Sequence, residues 1–368
     1  MTGVQTCAFP IFTTEPGVIT EVLQNAVKEK GLFYPPDPAS KGSCFIGGNI
    51  SENSGGPKAV KYGVVKDYVL NLEVVLPTGE IIWTGSNVLK NATGYNLTQL
   101  IVGSEGTLGI VTKIVLRLLP HPKFDLLMLA PFNSVEKACE AVSAIFRAGI
   151  TPSALELMEI ESIKLASKIC DSTAIPITDG LAAHLIIEVD GNDIDVLMKE
   201  MEAISAVLEN FEVGELYFAD DAQQKNELWK IRRKANEAAV AAGYTIEEDT
   251  VVPRAELPRL IKGVKALADE NGFKVVSYGH AGDGNLHIRI NHPTIKKSYE
   301  NEQIQSILAK IFELVKSLGG TISGEHGIGL IQKSFMPIMF EKANMDLMKG
   351  IKKVFDPHHI LNAGKIFD

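Results

Sequence analysis

The feature that most constrains the fold of this chain is a change of pattern near residue 123. Residues 13–122 carry clustered glycines and short apolar runs with a period of two, which indicates β-strands joined by tight turns. From 123 to about 330, amphipathic helical stretches alternate with short β runs, and residues 331–368 are mainly helical. This pattern predicts an α+β protein whose second domain is an antiparallel sheet covered by helices.

Individual elements can be predicted from the same periodicities. We expect helices over 18–29, after Ser134, from Ile194 to Leu208, and over 226–242 and 256–271, with strands over 69–76, 80–84, 109–119 and 185–189. Glycine occupies positions 47, 48, 55, 56 and 63, which is too dense for a packed helix. We therefore expect this glycine-rich stretch to form loops.

Charge and cysteine usage limit the classes of partner and compartment. The net charge of −9 gives no general electrostatic support for a nucleic-acid partner. No apolar run approaches the roughly 18 residues of a membrane span. The four cysteines are scattered without a C-x-x-C pair, which indicates free thiols in a reducing compartment, and we expect a cytoplasmic location.

The first twelve residues, MTGVQTCAFPIF, differ from the rest of the chain. They lack the cationic and apolar regions of a secretory signal. We interpret residues 1–12 as a non-native leader and expect the natural start of the protein to be missing.

The stretch YGHAGDGNLHIRI places His280 and His287 on either side of a turn. If His280 pairs across from His287, both imidazoles emerge on one face, roughly 5 Å apart at Cβ. Two imidazoles at that distance suit one divalent ion. A hairpin with two incidental histidines remains the alternative at this point.

A second segment, GGTISGEHGIG, places Glu325 and His326 among five glycines. Adjacent residues on a strand or tight loop point in different directions, so Glu325 can reach a metal while His326 faces a substrate. Two histidines and a glutamate leave coordination positions open, as a catalytic metal requires. The alternative is a glycine turn with a solvated Glu-His pair.

Two glycine-rich stretches, GGNISENSGG and GSEGTLGI, expose backbone groups that can line a phosphate or a planar heterocycle. Neither is a G-x-G-x-x-G or a phosphate-binding P-loop. Each taken alone is more often a structural turn.

Taken together, these motifs resemble those of a known family. EPGV, PPDPAS, CFIGGNISENSGG, KYG, TGYNL, GSEGTLGIVT, EDTVVPR, GHAGDGNLH, SGEHGIG and FDPHHILNAGKI follow one another along residues 15–366. The chain resembles the flavin-linked D-2-hydroxyacid dehydrogenases of the vanillyl-alcohol oxidase type, in the D-lactate dehydrogenase and glycolate oxidase flavoprotein group. This resemblance implies the second lobe of an FAD-binding domain over 13–122, a substrate or cap domain with the metal site over 123–330, and a C-terminal segment, 331–368, that returns to the FAD domain. It also implies that the first flavin lobe is missing, so we expect weak or absent FAD binding.

The resemblance also implies functional residues, residue by residue. Contacts with FAD are expected from Pro36, Ser43, Gly47, Gly48, Asn49, Asn53, Gly56, Gly106, Thr107, Gly109, Ile110 and Asn362. A divalent metal, zinc, iron or manganese, is expected on His280, His287 and Glu325. The expected base is His326, and the expected grip on the substrate carboxylate is Arg232, in a W-x-x-R stretch that begins at Trp229. A surface charge on an amphipathic helix is the alternative for Arg232.

The implied activity is oxidation of a small 2-hydroxy acid, with the hydride passing to FAD and the proton to a histidine. Glu247 stands where some relatives selective for dicarboxylates have a lysine, which favours lactate or glycolate over 2-hydroxyglutarate. Electrons are expected to leave through an electron-transfer flavoprotein, an iron–sulfur subunit or quinone. The alternatives are D-2-hydroxyglutarate oxidation, a flavin-dependent ether-lipid synthase on the same scaffold, and an inactive fragment that binds a partner as a subunit.

Overall fold

The computed structural model describes residues 5–8 (backbone only), 10–219, 221–292, 299 and 301–367. The chain divides into two compact units. Unit 1 comprises the chain up to His121 and again from Glu325 onwards, and unit 2 runs from Pro122 to Gly324. The expected domain divisions were placed after residues 122 and 330.

The first segment of unit 1 is rich in short strands. Its strands are β1 (Gln5–Ala8), β2 (Ile11–Thr14), β3 (Leu32–Phe33), β4 (Val69–Val75), β5 (Ile81–Trp83), β6 (Ile110–Arg117) and β7 (Leu119–Pro120). Its helices are α1 (Thr20–Lys28), α2 (Ile46–Glu52), α3 (Ala59–Tyr62) and α4 (Leu97–Ile101). The strands form an antiparallel sheet in the order β1-β2-β6-β4-β5, and β3 pairs with β7.

The core of unit 1 lies between this sheet and helices α1 and α2. Leu23, Ile50, Leu72 and Ile114 are completely buried there. Strand β2 includes the last part of the stretch that we interpreted as a leader, and Phe12 is only 1% exposed in this core. Residues 1–4 and 9 of that stretch lie outside the described residues.

Helix α2 corrects one prediction, because the glycine-rich stretch begins with a helix and not a loop. Tertiary packing outweighs the low helix propensity of glycine here. Ile46 and Ile50, one helical turn apart, are both fully buried. A Cβ on Gly47 would lie 2.6 Å from the Pro16 Cβ, so a glycine is what allows α2 to approach Pro16.

Unit 2 alternates strands with longer helices, as the sequence pattern predicts. Its strands are β8 (Phe124–Phe132), β9 (Ala154–Glu159), β10 (Ala183–Gly191), β11 (Tyr217–Phe218), β12 (Ile246–Val251), β13 (Lys274–His280) and β14 (Asn285–Asn291). Its helices are α5 (Val135–Arg147), α6 (Ile160–Cys170), α7 (Ile194–Leu208), α8 (Ala222–Ala241), α9 (Leu257–Asn271) and α10 (Glu302–Ser317). Helix α5 begins as predicted, since the Ser134 Oγ accepts a hydrogen bond from the Lys137 N–H at 3.2 Å.

These strands form one antiparallel sheet in the order β11-β8-β10-β9-β13-β14-β12, which we call the unit 2 sheet. Helices α6 and α8 cover one face, where Ile163 and Ile231 pack with Met158, Ile186 and Tyr278. Helix-covered antiparallel sheets are the α+β class that the sequence predicts, and the prediction is confirmed.

The chain then returns to unit 1, where its last two α-helices lie. The returning segment contains α11 (Met336–Met339) and α12 (Lys342–Phe355). Ile351 and Phe355 of α12 pack against the core of unit 1. Across the described ranges, no helix combines the length and apolarity that crossing a lipid bilayer would require.

Candidate active site

The register of the last hairpin in the unit 2 sheet determines where its two histidines lie. Tyr278 is opposite His287, and His280 is opposite Asn285. The histidines are therefore diagonal neighbours, and the direct pairing considered above is not formed. The turn starts immediately after His280, which shifts the register by two residues and leaves both side chains on one face. Their rings are buried, with centroids 5.7 Å apart.

Glu156 joins two of the predicted site residues. One of its oxygens, Oε1, lies 2.8 Å from His280 Nδ1, and the other, Oε2, accepts a 2.7 Å hydrogen bond from Arg232 Nε. Arg232 Nη2 adds an ion-pair contact of 2.6 Å to Oε2. Burial alone would raise the pKa of Glu156, but the neighbouring His280 and Arg232 hold that pKa below its ordinary value. Arg232 is 5% exposed, so the alternative of a surface charge is wrong.

His287 lies among carboxylates on the same sheet face. Its Nδ1 is 3.5 Å from Glu247 Oε1 and 3.8 Å from Asp249 Oδ1. Asp249 is itself held in place, because Oδ1 accepts from Asn285 Nδ2 at 2.7 Å and Oδ2 accepts from the Gly324 N–H at 2.9 Å. Gly324 is followed directly in the chain by Glu325.

The donor set on this face suits a divalent cation. His280 and His287 offer imidazole nitrogens, and Asp249 offers a carboxylate oxygen within 4.8 Å of a ring nitrogen of His287. In unit 1, Glu325 and His326 likewise offer ligand atoms within 4.8 Å of each other. Asp249 was not among the ligands expected from the sequence.

Arg289 contributes a second buried cation to the same sheet face. Its Nη2 donates to Asn236 Oδ1 and to Glu247 Oε2, and its Nε donates to the Tyr278 hydroxyl at 3.3 Å. The guanidinium of Arg289 is therefore already hydrogen-bonded to side chains of this protein. Glu247 serves as the counter-ion of Arg289.

In unit 1, the loop after His326 is held by a glutamate from the G-S-E-G-T-L-G stretch. Glu105 Oε1 accepts the Ile328 N–H, and Glu105 Oε2 accepts the Gly329 N–H, each at 2.7 Å. The amide of Asn362 donates to the Glu105 carbonyl oxygen. Three segments that are distant in sequence thus meet at Glu105.

Glu52, at the end of α2, lies beside the same loop. A Cβ on Gly327 would be 2.2 Å from Glu52 Oε2, which shows how closely this carboxyl approaches the loop backbone. Among the described residues, Glu52 Oε2 is buried without a hydrogen-bond partner. Burial, followed by repulsion from Glu105, raises the pKa of Glu52 to about 7, although His326 lowers it.

Unit 1 also contains a cavity of about 400 Å³ lined by glycine-rich loops. Five of the predicted FAD-binding residues line it: Gly47, Gly106, Gly109, Ile110 and Asn362. Ile50 and Ile101 add apolar surface, and Ser51 and Ser104 add hydroxyl groups. Apolar walls with polar edges suit a planar heterocycle, so the residues present fit the isoalloxazine ring of a flavin.

Three other predicted FAD-binding residues use their side chains within unit 1. Asn49 Nδ2 donates to Thr20 Oγ1 at 2.6 Å, and Asn53 Oδ1 accepts from the Lys66 N–H at 2.9 Å. The Thr107 hydroxyl donates to the Ser104 carbonyl oxygen at 2.7 Å. These contacts shape the loops around the cavity.

The remaining four predicted FAD-binding residues lie on neighbouring segments of unit 1. The Pro36 carbonyl oxygen accepts from Gln24 Nε2 at 2.9 Å, and Ser43 and Gly48 are exposed. Gly56, with a φ of 122°, lies where a Cβ would be 2.6 Å from the Asp37 carbonyl oxygen.

Sequence reasoning missed Glu156, Glu105 and the pair formed by Lys352 and Asp356. Lys352 Nζ bonds to Asp356, to the Thr107 carbonyl oxygen (2.8 Å) and to the Leu361 carbonyl oxygen (2.9 Å), and so holds the tail beside the cavity. Glu156 did carry a signal, because a glutamate between apolar residues of a strand, A-L-E-L-M-E, needs a buried partner.

Comparisons with protein-family models assign both segments of the chain. A model described as "FAD linked oxidases, C-terminal domain" matches residues 121–366, and one described as "FAD binding domain" matches residues 10–85.

Individual relatives agree with the family models. The chain is 41% identical over 360 residues to a protein of Bacillus subtilis (strain 168) named glycolate oxidase subunit GlcD, covering 96% of this chain and 75% of the relative. It is 37% identical over 356 residues to a D-lactate dehydrogenase of Anaerostipes hadrus, covering 96% and 75%. A solved structure of p-cresol methylhydroxylase with substrate bound has a TM-score of 0.77 at 15% identity, covering 100% of this chain and 78% of that one. At that identity the likeness shows the fold alone.

Proposed function

Because this chain belongs to the family of FAD linked oxidases, we propose that it oxidises a small D-2-hydroxy acid, D-lactate or glycolate, to the 2-oxo acid. As a member of this family, the protein is an FAD-dependent oxidoreductase. The observation that carries the substrate proposal is one sheet face in unit 2. On it, the buried imidazoles of His280 and His287 lie beside the buried pair of Arg232 and Glu156.

FAD would be held by the glycine loops of the unit 1 cavity, chiefly through Gly47, Gly106, Gly109, Ile110 and Asn362. When bound, it supplies the acceptor for the hydride that leaves the substrate carbon, which is chemistry that no side chain provides. The apolar wall residues Ile50 and Ile101 would exclude water from the ring.

We infer that His280, His287 and Glu325 hold a divalent cation of the zinc, iron or manganese type, with Asp249 as a further donor beside His287. When bound, the cation polarises the substrate hydroxyl. Glu156 supports this role for His280, because a carboxylate bonded to one ring nitrogen fixes the tautomer and leaves the other nitrogen to coordinate.

His326 is proposed as the base that takes the hydroxyl proton on an imidazole nitrogen, since imidazole exchanges protons near neutral pH. Arg232 is proposed to bind the substrate carboxylate. Its Nε and Nη2 face Glu156, which leaves Nη1 for the ligand.

The occupied state of Arg289 favours a monocarboxylate substrate. Its guanidinium is neutralised by Glu247 and bonded to Asn236, so its charge is not available to a second carboxylate. D-2-Hydroxyglutarate is therefore expected to be a poorer substrate than D-lactate.

Electrons are proposed to pass from the flavin to an electron-transfer flavoprotein, an iron–sulfur subunit or quinone. The test is to mix the reduced flavoprotein with each candidate acceptor and to measure reoxidation of the flavin.

The test is to mix the FAD-loaded protein anaerobically with D-lactate, glycolate, L-lactate or D-2-hydroxyglutarate in separate experiments. Flavin reduction is measured as the loss of its visible absorbance. We expect reduction by D-lactate or glycolate. His326→Ala should slow it by about 10²–10⁴-fold with flavin still bound, whereas His358→Ala, at an exposed histidine, should not. If no 2-hydroxy acid reduces the flavin, the proposal fails and a role as a partner-binding subunit is favoured.

The metal assignment is tested separately by elemental analysis of the purified protein. We expect about one divalent ion per chain, and its loss in His280→Ala but not in His358→Ala. A metal-free wild-type protein that reduces its flavin with D-lactate would rule out the cation.

A further inference from the structure

Glu105 is positioned unusually for a surface-turn glutamate. Its backbone has a φ of 52°, in the left-handed region that few residues other than glycine adopt. Its N–H donates to the Ser51 carbonyl oxygen at 2.9 Å. The turn is thus anchored to α2.

Each oxygen of the Glu105 carboxylate accepts a hydrogen bond from a backbone donor of the loop that follows His326. It accepts the Ile328 N–H on one oxygen and the Gly329 N–H on the other, each at 2.7 Å. Two N–H groups on one carboxylate form a charge-assisted pair that fixes both position and orientation. His326 is only two residues from the first of these donors.

The backbone of the same turn holds the C-terminal tail. The carbonyl oxygen of Glu105 accepts the Asn362 amide, and a Cβ on the next residue, Gly106, would lie 2.8 Å from the Asn362 Nδ2. Both Gly106 and Asn362 line the cavity. One residue therefore holds the His326 loop with its side chain and the cavity wall with its backbone.

Gly327 makes this arrangement sterically feasible. A Cβ there would lie 2.2 Å from Glu52 Oε2 and 2.9 Å from Glu105 Oε1, and its φ is 77°. Two carboxyl groups can therefore approach the loop from α2 and from the Glu105 turn. Only one of them, Glu105, holds the loop through hydrogen bonds to its backbone N–H groups in the described structure.

We propose that Glu105 is a positioning residue that fixes the His326 loop and the Asn362 tail in register with the flavin cavity. This inference rests on the proposed function only for its effect on turnover. Its effect on the flavin environment follows from the contacts around the cavity.

The test compares Glu105→Gln with Glu80→Gln, a matched change at an exposed glutamate. Glutamine keeps the size of the side chain but presents one acceptor where two are needed. We expect kcat with D-lactate to fall roughly 10–100-fold in Glu105→Gln with KM nearly unchanged, because the loop of the base is misplaced. We also expect the FAD dissociation constant to rise roughly tenfold and the visible circular dichroism of the bound flavin to change.

Wild-type kcat, KM and flavin dichroism in Glu105→Gln would overturn the inference while leaving the proposed function intact. If the wild-type protein oxidises no hydroxy acid, the proposed function fails, and FAD affinity and dichroism still decide the positioning role. If Glu105→Gln does not fold, Glu105→Asp provides the second variant. It keeps the charge but shortens the side chain, which withdraws the carboxylate from the Ile328 and Gly329 N–H groups. It should raise the FAD dissociation constant and alter the dichroism, and an unchanged flavin would overturn the inference.

Discussion

At the residue scale, buried ionic contacts fix the positions of functional side chains in unit 2. Glu156 is completely buried, and it is the common partner of His280 and Arg232. A buried charge without its partner is strongly unfavourable, because the desolvation cost is no longer offset. The ion pair therefore makes the position of the proposed carboxylate-binding arginine dependent on a strand residue far away in sequence.

Replacing Glu156 by glutamine should destabilise the protein by about 3–5 kcal/mol, since Arg232 would keep its charge in a buried site. Urea unfolding followed by far-ultraviolet circular dichroism measures the change. Glu202→Gln, at an exposed position of α7, is the control and should change the free energy of unfolding by less than about 0.5 kcal/mol. Equal stabilities of the two variants would contradict a buried ion pair.

Glu52 predicts a pH dependence of stability. Its pKa is raised to about 7 in the folded protein, from an ordinary value of 4.5. The folded state therefore holds a proton that the unfolded state releases near pH 4.5. The stabilising contribution of Glu52 is complete below that pH and is lost as pH rises through about 7.

In Glu52→Gln this loss cannot occur, so the Tm of the variant relative to wild type should be higher at pH 8 than at pH 4. Thermal unfolding at both pH values measures the difference, with Glu80→Gln as the exposed control. A gap between variant and wild type that does not change with pH would exclude a protonated Glu52 in the folded protein.

At the level of elements, strong periodicity predicted helices and strands well, whereas the glycine content of residues 47–56 led to a loop being predicted where α2 begins. Ile194–Leu208 was predicted and is observed, because its buried positions recur at helical spacing. Helix α2 was missed because propensity scales treat each glycine alone. The burial of Ile46 and Ile50 and the close approach to Pro16 are tertiary facts that a local pattern does not contain.

The two glycines of α2 should respond oppositely to substitution. Gly47→Ala should destabilise the protein, because its Cβ would lie 2.6 Å from the Pro16 Cβ. A Cβ on Gly48 would have no neighbouring atom within 4 Å, so Gly48→Ala should stabilise the helix by about 0.5–1 kcal/mol. Urea unfolding of both variants without flavin measures the pair, and the same sign for both would contradict the packing of α2.

At the level of the whole molecule, the fold class and the order of sheet and helix were predictable from the sequence. The side chains that join distant segments were not. Glu105 binds Ile328 and Gly329 across more than two hundred residues, and no spacing in the chain reports such a contact. The hairpin histidines were predictable as a pair, but their register depended on where the turn begins, after His280. The FAD-binding residues came from motif resemblance, and the metal ligands came from residue spacing together with that resemblance. A resemblance of motifs carries residue identities and not geometry.

Unit 1 is interrupted by unit 2, because the chain leaves it after His121 and returns at Glu325. During translation, unit 2 is therefore synthesised in full before the last helices of unit 1. Synthesis from the N-terminus therefore favours an order in which unit 2 folds first. The flavin cavity is completed last, when the tail that bears Lys352 and Asn362 has left the ribosome. Nascent chains arrested before that point should accordingly be unable to capture the cofactor.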